Sequence, residues 1–136
     1  MTESNPIDRS RTDVDPSSGQ ASVSAGKVVF LSGDLMFASR IRGAAEQAGL
    51  TFKLSGSLPA EDDAEVRYII LDLSTRSTLV ESLPELASRH CPQSRLLAYG
   101  PHVQVARLQA AQEAGFPQVM TRGQFDRDLP TLFKVD

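Results

Sequence analysis

The sequence predicts a doubly wound α/β domain, a five-stranded parallel sheet of order 2-1-3-4-5 with helices on both faces, and three observations carry this expectation. Continuous apolar runs rich in β-formers, such as Val28–Leu31 and Tyr68–Leu71, suit strands buried on both sides. Segments with helical apolar spacing separate them. Strict alternation with connections of helix length calls for right-handed crossovers and parallel pairing.

Taken in order, Val28-Val29-Phe30-Leu31 reads as the first strand. Phe37, Ile41, Ala44, Ala45 and Ala48 then recur at helical spacing, with Arg40, Arg42, Glu46 and Gln47 on the other side and Gly49 placed as a stop. Leu50 to Leu54 is a weaker strand with one wetter face, as expected at a sheet edge. In the stretch from Gly56 to Val66, the acids Glu61-Asp62-Asp63 are expected to start a short helix after Pro59, because negative charge suits a helix N-terminus. Tyr68-Ile69-Ile70-Leu71 is the clearest strand and ends on Asp72.

The helix after it includes Leu79, Val80, Leu83, Leu86 and Ala87; Pro84 requires either a kink or a shorter helix capped at Ser82. Leu96-Leu97-Ala98-Tyr99 is a fourth strand, stopped by Gly100-Pro101. Val105, Leu108 and Ala111 lie on a helix that closes at Ala114-Gly115. Val119-Met120-Thr121 is the fifth strand, and Leu129, Leu132 and Phe133 belong to a last short amphipathic helix. This count and order are those of the flavodoxin-like fold, in which functional groups gather beyond the carboxyl ends of the strands.

Residues 1–26 are expected to form a disordered N-terminal tail, and 27–136 the domain. In the tail Glu3, Asp8, Asp13 and Asp15 mix with Arg9, Arg11, Pro6, Pro16 and many Ser and Thr, and apolar residues are too sparse for either period. With 14 Lys+Arg against 17 Asp+Glu the formal charge is -3, and without a basic cluster the chain is a poor nucleic-acid binder. No apolar stretch reaches the ~18 residues of a membrane span, and no signal-peptide core begins the chain, so a soluble, cytoplasmic protein is expected. A lone Cys91 with His90 and His102 excludes a metal site built on sulfur or imidazole.

The residues at the strand ends are Ser32-Gly33-Asp34, Asp72-Leu73-Ser74, Gly100-Pro101-His102 and Arg122-Gly123. From Lys27 to Phe133 this arrangement resembles the receiver domain of two-component response regulators. Asp72, closing YIILD, matches the phosphoacceptor aspartate, and Arg122 in GFPQVMTRGQF matches the strand-5 lysine. The resemblance implies phosphoryl transfer to Asp72 assisted by Mg²⁺, which gathers carboxylate and phosphate oxygens.

The departures from the pattern weaken that chemistry. Ser32 and Gly33 stand where the family has an acidic pair, leaving Asp34, Asp72 and the Ser74 carbonyl as the oxygen ligands for a weak Mg²⁺ site. Gly100 replaces the hydroxyl residue after strand 4, Val119 the aromatic switch residue and Gly123 the proline. The pattern is that of a degenerate receiver, or pseudo-receiver, with Arg122 as countercharge for Asp72 in place of a metal. Other readings of the same residues stay open. Asp72 also suits a strand-end carboxylate taking backbone N–H bonds, Asp34 a helix opener, His102 a cap residue, Cys91 a packing residue, and Tyr99 and Thr121 structural strand positions.

The leading expectation is a non-enzymatic, stand-alone signalling module that binds another protein and has no cofactor. Its implied contact surface runs from Val103 to Phe133, with Arg107, Gln109, Gln112 and Arg127 as contacts. The alternatives are a working phosphorelay receiver, fed by a histidine kinase or phosphotransfer protein, and a small-ligand binder of the same fold. For the last, the chain offers neither a G-x-G-x-x-G turn nor a P-loop.

Overall fold

The computed structural model describes residues 25–134; the tail expectation for residues 1–26 therefore falls almost wholly outside the described residues. Five parallel strands form one sheet: β1 (Lys27–Leu31), β2 (Thr51–Ser55), β3 (Val66–Asp72), β4 (Arg95–Gly100) and β5 (Gln118–Thr121). Their spatial order is β2-β1-β3-β4-β5, the doubly wound order expected. The helices are α1 (Leu35–Gln47), α2 (Leu83–His90), α3 (Val105–Ala114) and α4 (Arg122–Leu132).

Two apolar layers cover the sheet. On one face Val28, Phe30, Tyr68, Ile70, Leu97 and Tyr99 meet α1 through Phe37 and Ile41 and α4 through Phe125 and Leu129. On the other face Val29, Leu31, Ile69, Leu71, Leu96 and Ala98 meet Leu83 and Ala87 of α2 and Ala111 of α3. Successive strand residues point to opposite faces, so burial of both layers explains why β1 and β3 read as unbroken apolar runs. The edge strand β2 keeps Thr51 and Lys53 exposed. Aromatic rings fill the first layer, with Tyr99 stacked parallel on Phe125 at 4.6 Å and Phe37 edge-on to Tyr99 at 5.5 Å.

Pro84 sits in the first turn of α2, two residues after Ser82, so the helix is short rather than kinked; a single 3₁₀ turn, Ser77–Leu79, precedes it. Gly115 ends α3 in the left-handed conformation at φ 103°, which glycine adopts without a Cβ penalty.

The helix expected after Pro59 does not form. Between β2 and β3 the chain is irregular, and Leu58 packs on the second layer in its place. Two of the three acids that suggested a helix start, Asp62 and Asp63, serve as ties. Asp62 meets His90 Nδ1 at 2.8 Å, Lys27 Nζ donates to Asp63 Oδ2 at 2.7 Å, and the Glu65 N–H donates to Asp63 Oδ1. The bond from Lys27 leads the causes that hold the Asp63 carboxyl below its ordinary pKa. An Asp that turns its oxygens onto its own chain two residues ahead favours a turn over a helix.

Candidate functional site

The parallel register sets the site. Leu31 pairs with Leu71 and Asp72 with Tyr99, so the loops after β1 and β3 emerge side by side at one end of the sheet. Asp72 lies there almost fully buried, at 1% exposure, and Ser32 beside it at 3%.

A buried carboxylate is costly unless its oxygens are hydrogen-bonded. Ser32 Oγ donates to Asp72 Oδ2 at 2.7 Å and Thr75 Oγ1 donates to the same oxygen at 2.8 Å. Ser74 donates twice to Oδ1, from its backbone N–H at 3.0 Å and from its hydroxyl at 2.7 Å. An ionised carboxylate has about four lone-pair directions, and four donors meet them. The hydroxyls are in turn fixed from behind. The Asp34 N–H donates to Ser32 Oγ at 2.8 Å and the Gly33 N–H to Thr75 Oγ1 at 3.0 Å. This ties the loop after β1 to the loop after β3 through one carboxylate.

The other oxygens assigned to a weak Mg²⁺ site are also engaged. Asp34 caps α1, its Oδ1 accepting from the Phe37 N–H at 3.0 Å, while its Oδ2 accepts from Arg122 Nη2 at 3.4 Å. The Ser74 carbonyl accepts from Arg107 Nη1 at 3.4 Å, and the Leu73 carbonyl from the same nitrogen at 3.2 Å. Mg²⁺ needs oxygens in near-ideal octahedral array. Each of these protein oxygens already faces a donor, which a metal ion would have to displace.

Arg122 does not make the expected fork with Asp72. As the first residue of α4 it turns toward α1, hydrogen-bonds Asp34 and lies over the Phe37 ring at 4.5 Å from the centroid. Asp72 has no need of it, since hydroxyl and amide donors stabilise its charge. Thr121, read as a plain strand residue, caps α4: its Oγ1 accepts from the Gln124 N–H, and the Gln124 side chain accepts from the Thr121 N–H. At Gly100 a Cβ would come within 3.3 Å of the Leu73 Cβ. The fully buried Leu73 thus crowds any side chain placed at this position. His102 lies in the turn before α3, at a crevice of about 470 Å³ lined also by Phe37, Arg40, Pro101, Arg122, Gly123 and Asp126.

Thr75 escaped the sequence reading. It completes the cage, and the signal for it was present: an Asp followed by hydroxyls two and three residues on, in Asp72-Leu73-Ser74-Thr75, favours local side-chain bonds. Arg107, expected as a contact for a partner, reaches back to the loop after β3. Tyr99, expected as a structural strand position, is in the core, but its hydroxyl is buried without a hydrogen-bond partner among the described residues, and burial first, then the charge of Asp72, pushes its pKa upward.

No family model matches the chain, and no curated protein matches it. Solved structures do. A response regulator receiver domain from Rhodospirillum rubrum superposes with a TM-score of 0.57 at 15% identity, over 79% of this chain and 90% of that one. A response regulator from Burkholderia pseudomallei, with a phosphorylated aspartic acid and a calcium ion, gives 0.56 at 17% identity over 71% of this chain. The present chain spans 59% of that protein's length. A pilus assembly protein CpaE from Caulobacter crescentus gives 0.50 at 15% identity, over 83% and 97%. The fold of this chain is that of the response-regulator receiver domains.

Proposed function

We propose that the chain is a receiver-like signalling module whose aspartate site is held in one state, and that it acts by binding another signalling protein without Mg²⁺-dependent phosphorylation. The observation that carries this reading is the saturation of Asp72. To attack a phosphoryl donor, a carboxylate oxygen must present a lone pair; each oxygen here receives two donors. Ser32, where the resemblance has an acid, supplies one of those donors and replaces a metal ligand with a group that needs no metal. Arg122 and Asp34 neutralise each other beside the cage. The module works by being recognised rather than by turning over a substrate. Fold alone does not decide this, and the reading rests on the cage.

Incubation of the protein with acetyl phosphate and Mg²⁺, followed by intact-mass measurement, tests it. The expected spectrum shows the unmodified mass only. A hydroxylamine-labile phosphoryl adduct that disappears in Asp72→Asn would overturn the proposal.

A further inference from the structure

The sheet ends on one side at β2, whose neighbour among the described strands is β1. Thr51 donates its N–H to the Gly26 carbonyl at 2.9 Å, and the Ser55 carbonyl accepts from the Ser32 N–H at 3.2 Å. In a strand the backbone groups of alternate residues point the same way, so Thr51, Lys53 and Ser55 turn theirs toward β1. Phe52 and Leu54 turn theirs outward, and the N–H and C=O of both run along the rim without a backbone partner among the described residues. Because no helix forms after β2, the stretch from Gly56 to Glu65 sends Leu58 onto the second layer and bonds none of these groups. The side chains beside them carry a pattern. Phe52 and Leu54 are half-buried at the margin of the first layer, with the exposed Arg42 guanidinium over the Phe52 ring at 5.3 Å. Lys53 is exposed on the opposite face, where it shares a small crevice with Glu61, Asp62 and Asp63. Asp62 and Asp63 are taken by His90 and Lys27, and neither Arg42 nor Lys53 makes an ion pair among the described residues.

We infer that this edge takes an added strand, an extended segment of a partner protein in which an acid set opposite Lys53 alternates with apolar residues set beside Phe52 and Leu54. Successive side chains of such a segment fall on opposite faces, so its apolar residues continue the first layer beside Arg42 while its acid meets Lys53 on the other face. Main-chain hydrogen bonds to Phe52 and Leu54 supply the attachment, and the side chains supply the selection. A second copy of the chain is the wrong occupant. The antiparallel register that uses all the outward groups of both copies sets Lys53 against Lys53, and like charges directly opposite are destabilising. The inference gives the binding-module reading its partner chemistry and rests on it, but is tested separately from it.

The probes are two short synthetic peptides with blocked ends, one alternating valine with glutamate and the other valine with lysine. Each is titrated into the isotope-labelled full chain, followed by amide chemical shifts and by hydrogen exchange. In the chain alone the Phe52 and Leu54 amides should exchange freely. The glutamate peptide should shift both and slow their exchange, and bind less tightly as salt is raised. Lys53→Gln, at an exposed position, should weaken that peptide by about twofold to fivefold while leaving the melting curve in place. Equal binding of the lysine peptide, undiminished binding to Lys53→Gln, unchanged exchange at Phe52 and Leu54 with peptide bound, or no shift from either peptide would overturn the inference. So would slow exchange of these two amides in the chain alone, because the edge would then be covered already. The acetyl phosphate experiment reports on Asp72 whatever these titrations give, so failure of the added strand and failure of the metal-free reading are distinguishable.

Discussion

Ser32→Ala removes two hydrogen bonds at once from the tie between β1 and β3. One is the donation from Oγ to the buried Asp72 carboxylate at 2.7 Å, the other the bond that Oγ accepts from the Asp34 N–H at 2.8 Å. A bond to a charged group contributes about 1.5–3 kcal/mol and a neutral one about 0.5–1.5 kcal/mol. The variant should therefore lose about 2–4.5 kcal/mol, a large share of the ~5–15 kcal/mol typical of a domain. Urea unfolding measures the loss, with an unchanged m-value showing that the folded state keeps its compactness. The cycle with Asp72→Ala isolates the pair. Once the carboxylate is gone, Ser32 has no charge to serve, so the double variant should cost less than the sum of the singles by about 1.5–3 kcal/mol. A loss below about 1 kcal/mol in Ser32→Ala, together with additivity within about 0.5 kcal/mol, would refute the cage as a stabilising unit.

Arg122→Gln should cost less than about 1 kcal/mol, since its ion pair with Asp34 is partly exposed and its ring contact is at the surface; urea unfolding should also show it additive with Asp72→Asn, and strong coupling would reinstate a direct pair. Ile70→Ala, at a position with no exposure, should cost about 2–5 kcal/mol by leaving a cavity, and a loss under about 1 kcal/mol would undo the doubly covered sheet. Tyr99→Phe should leave stability unchanged or raise it by up to about 1 kcal/mol, as it deletes a buried hydroxyl without a partner. The pH sign follows from the raised folded pKa. Below the unfolded value of about 10 the phenol is neutral in both states; above it only the unfolded chain releases the proton, so stability falls as pH rises, and urea midpoints of Tyr99→Phe should fall less steeply there.

How much of the molecule the sequence disclosed depended on how local the cause was. Val28–Leu31 and Tyr68–Leu71 were legible because burial on both faces leaves an unbroken apolar run in the sequence itself. The helix ends at Gly49 and Gly115 were legible for the same reason, a residue type answering a local backbone need. The segment after Pro59 misled because Asp62 and Asp63 find partners in His90 and Lys27, far along the chain, and such pairings leave no local pattern. At the site, the topology located Asp72, Asp34 and Arg122 at one end of the sheet. Their pairing was not legible. Which acid an arginine meets depends on side-chain direction, and the Phe37 ring draws Arg122 to the α1 side. Ser32 was read as a lost carboxylate, whereas its hydroxyl is a gained donor.

The claim that the cage replaces the metal is tested most directly by the amide chemical shifts of the full chain during titration with Mg²⁺, alone and then with beryllofluoride as a mimic of aspartyl phosphate. The hydroxyl-saturated carboxylate should leave the amides of Gly33, Asp72, Ser74, Thr75 and Arg122 unmoved at every step. A saturable shift at those amides with Mg²⁺, enlarged by beryllofluoride and lost in Asp72→Asn, would show that the hydroxyls yield to a metal and that the site is a working receiver.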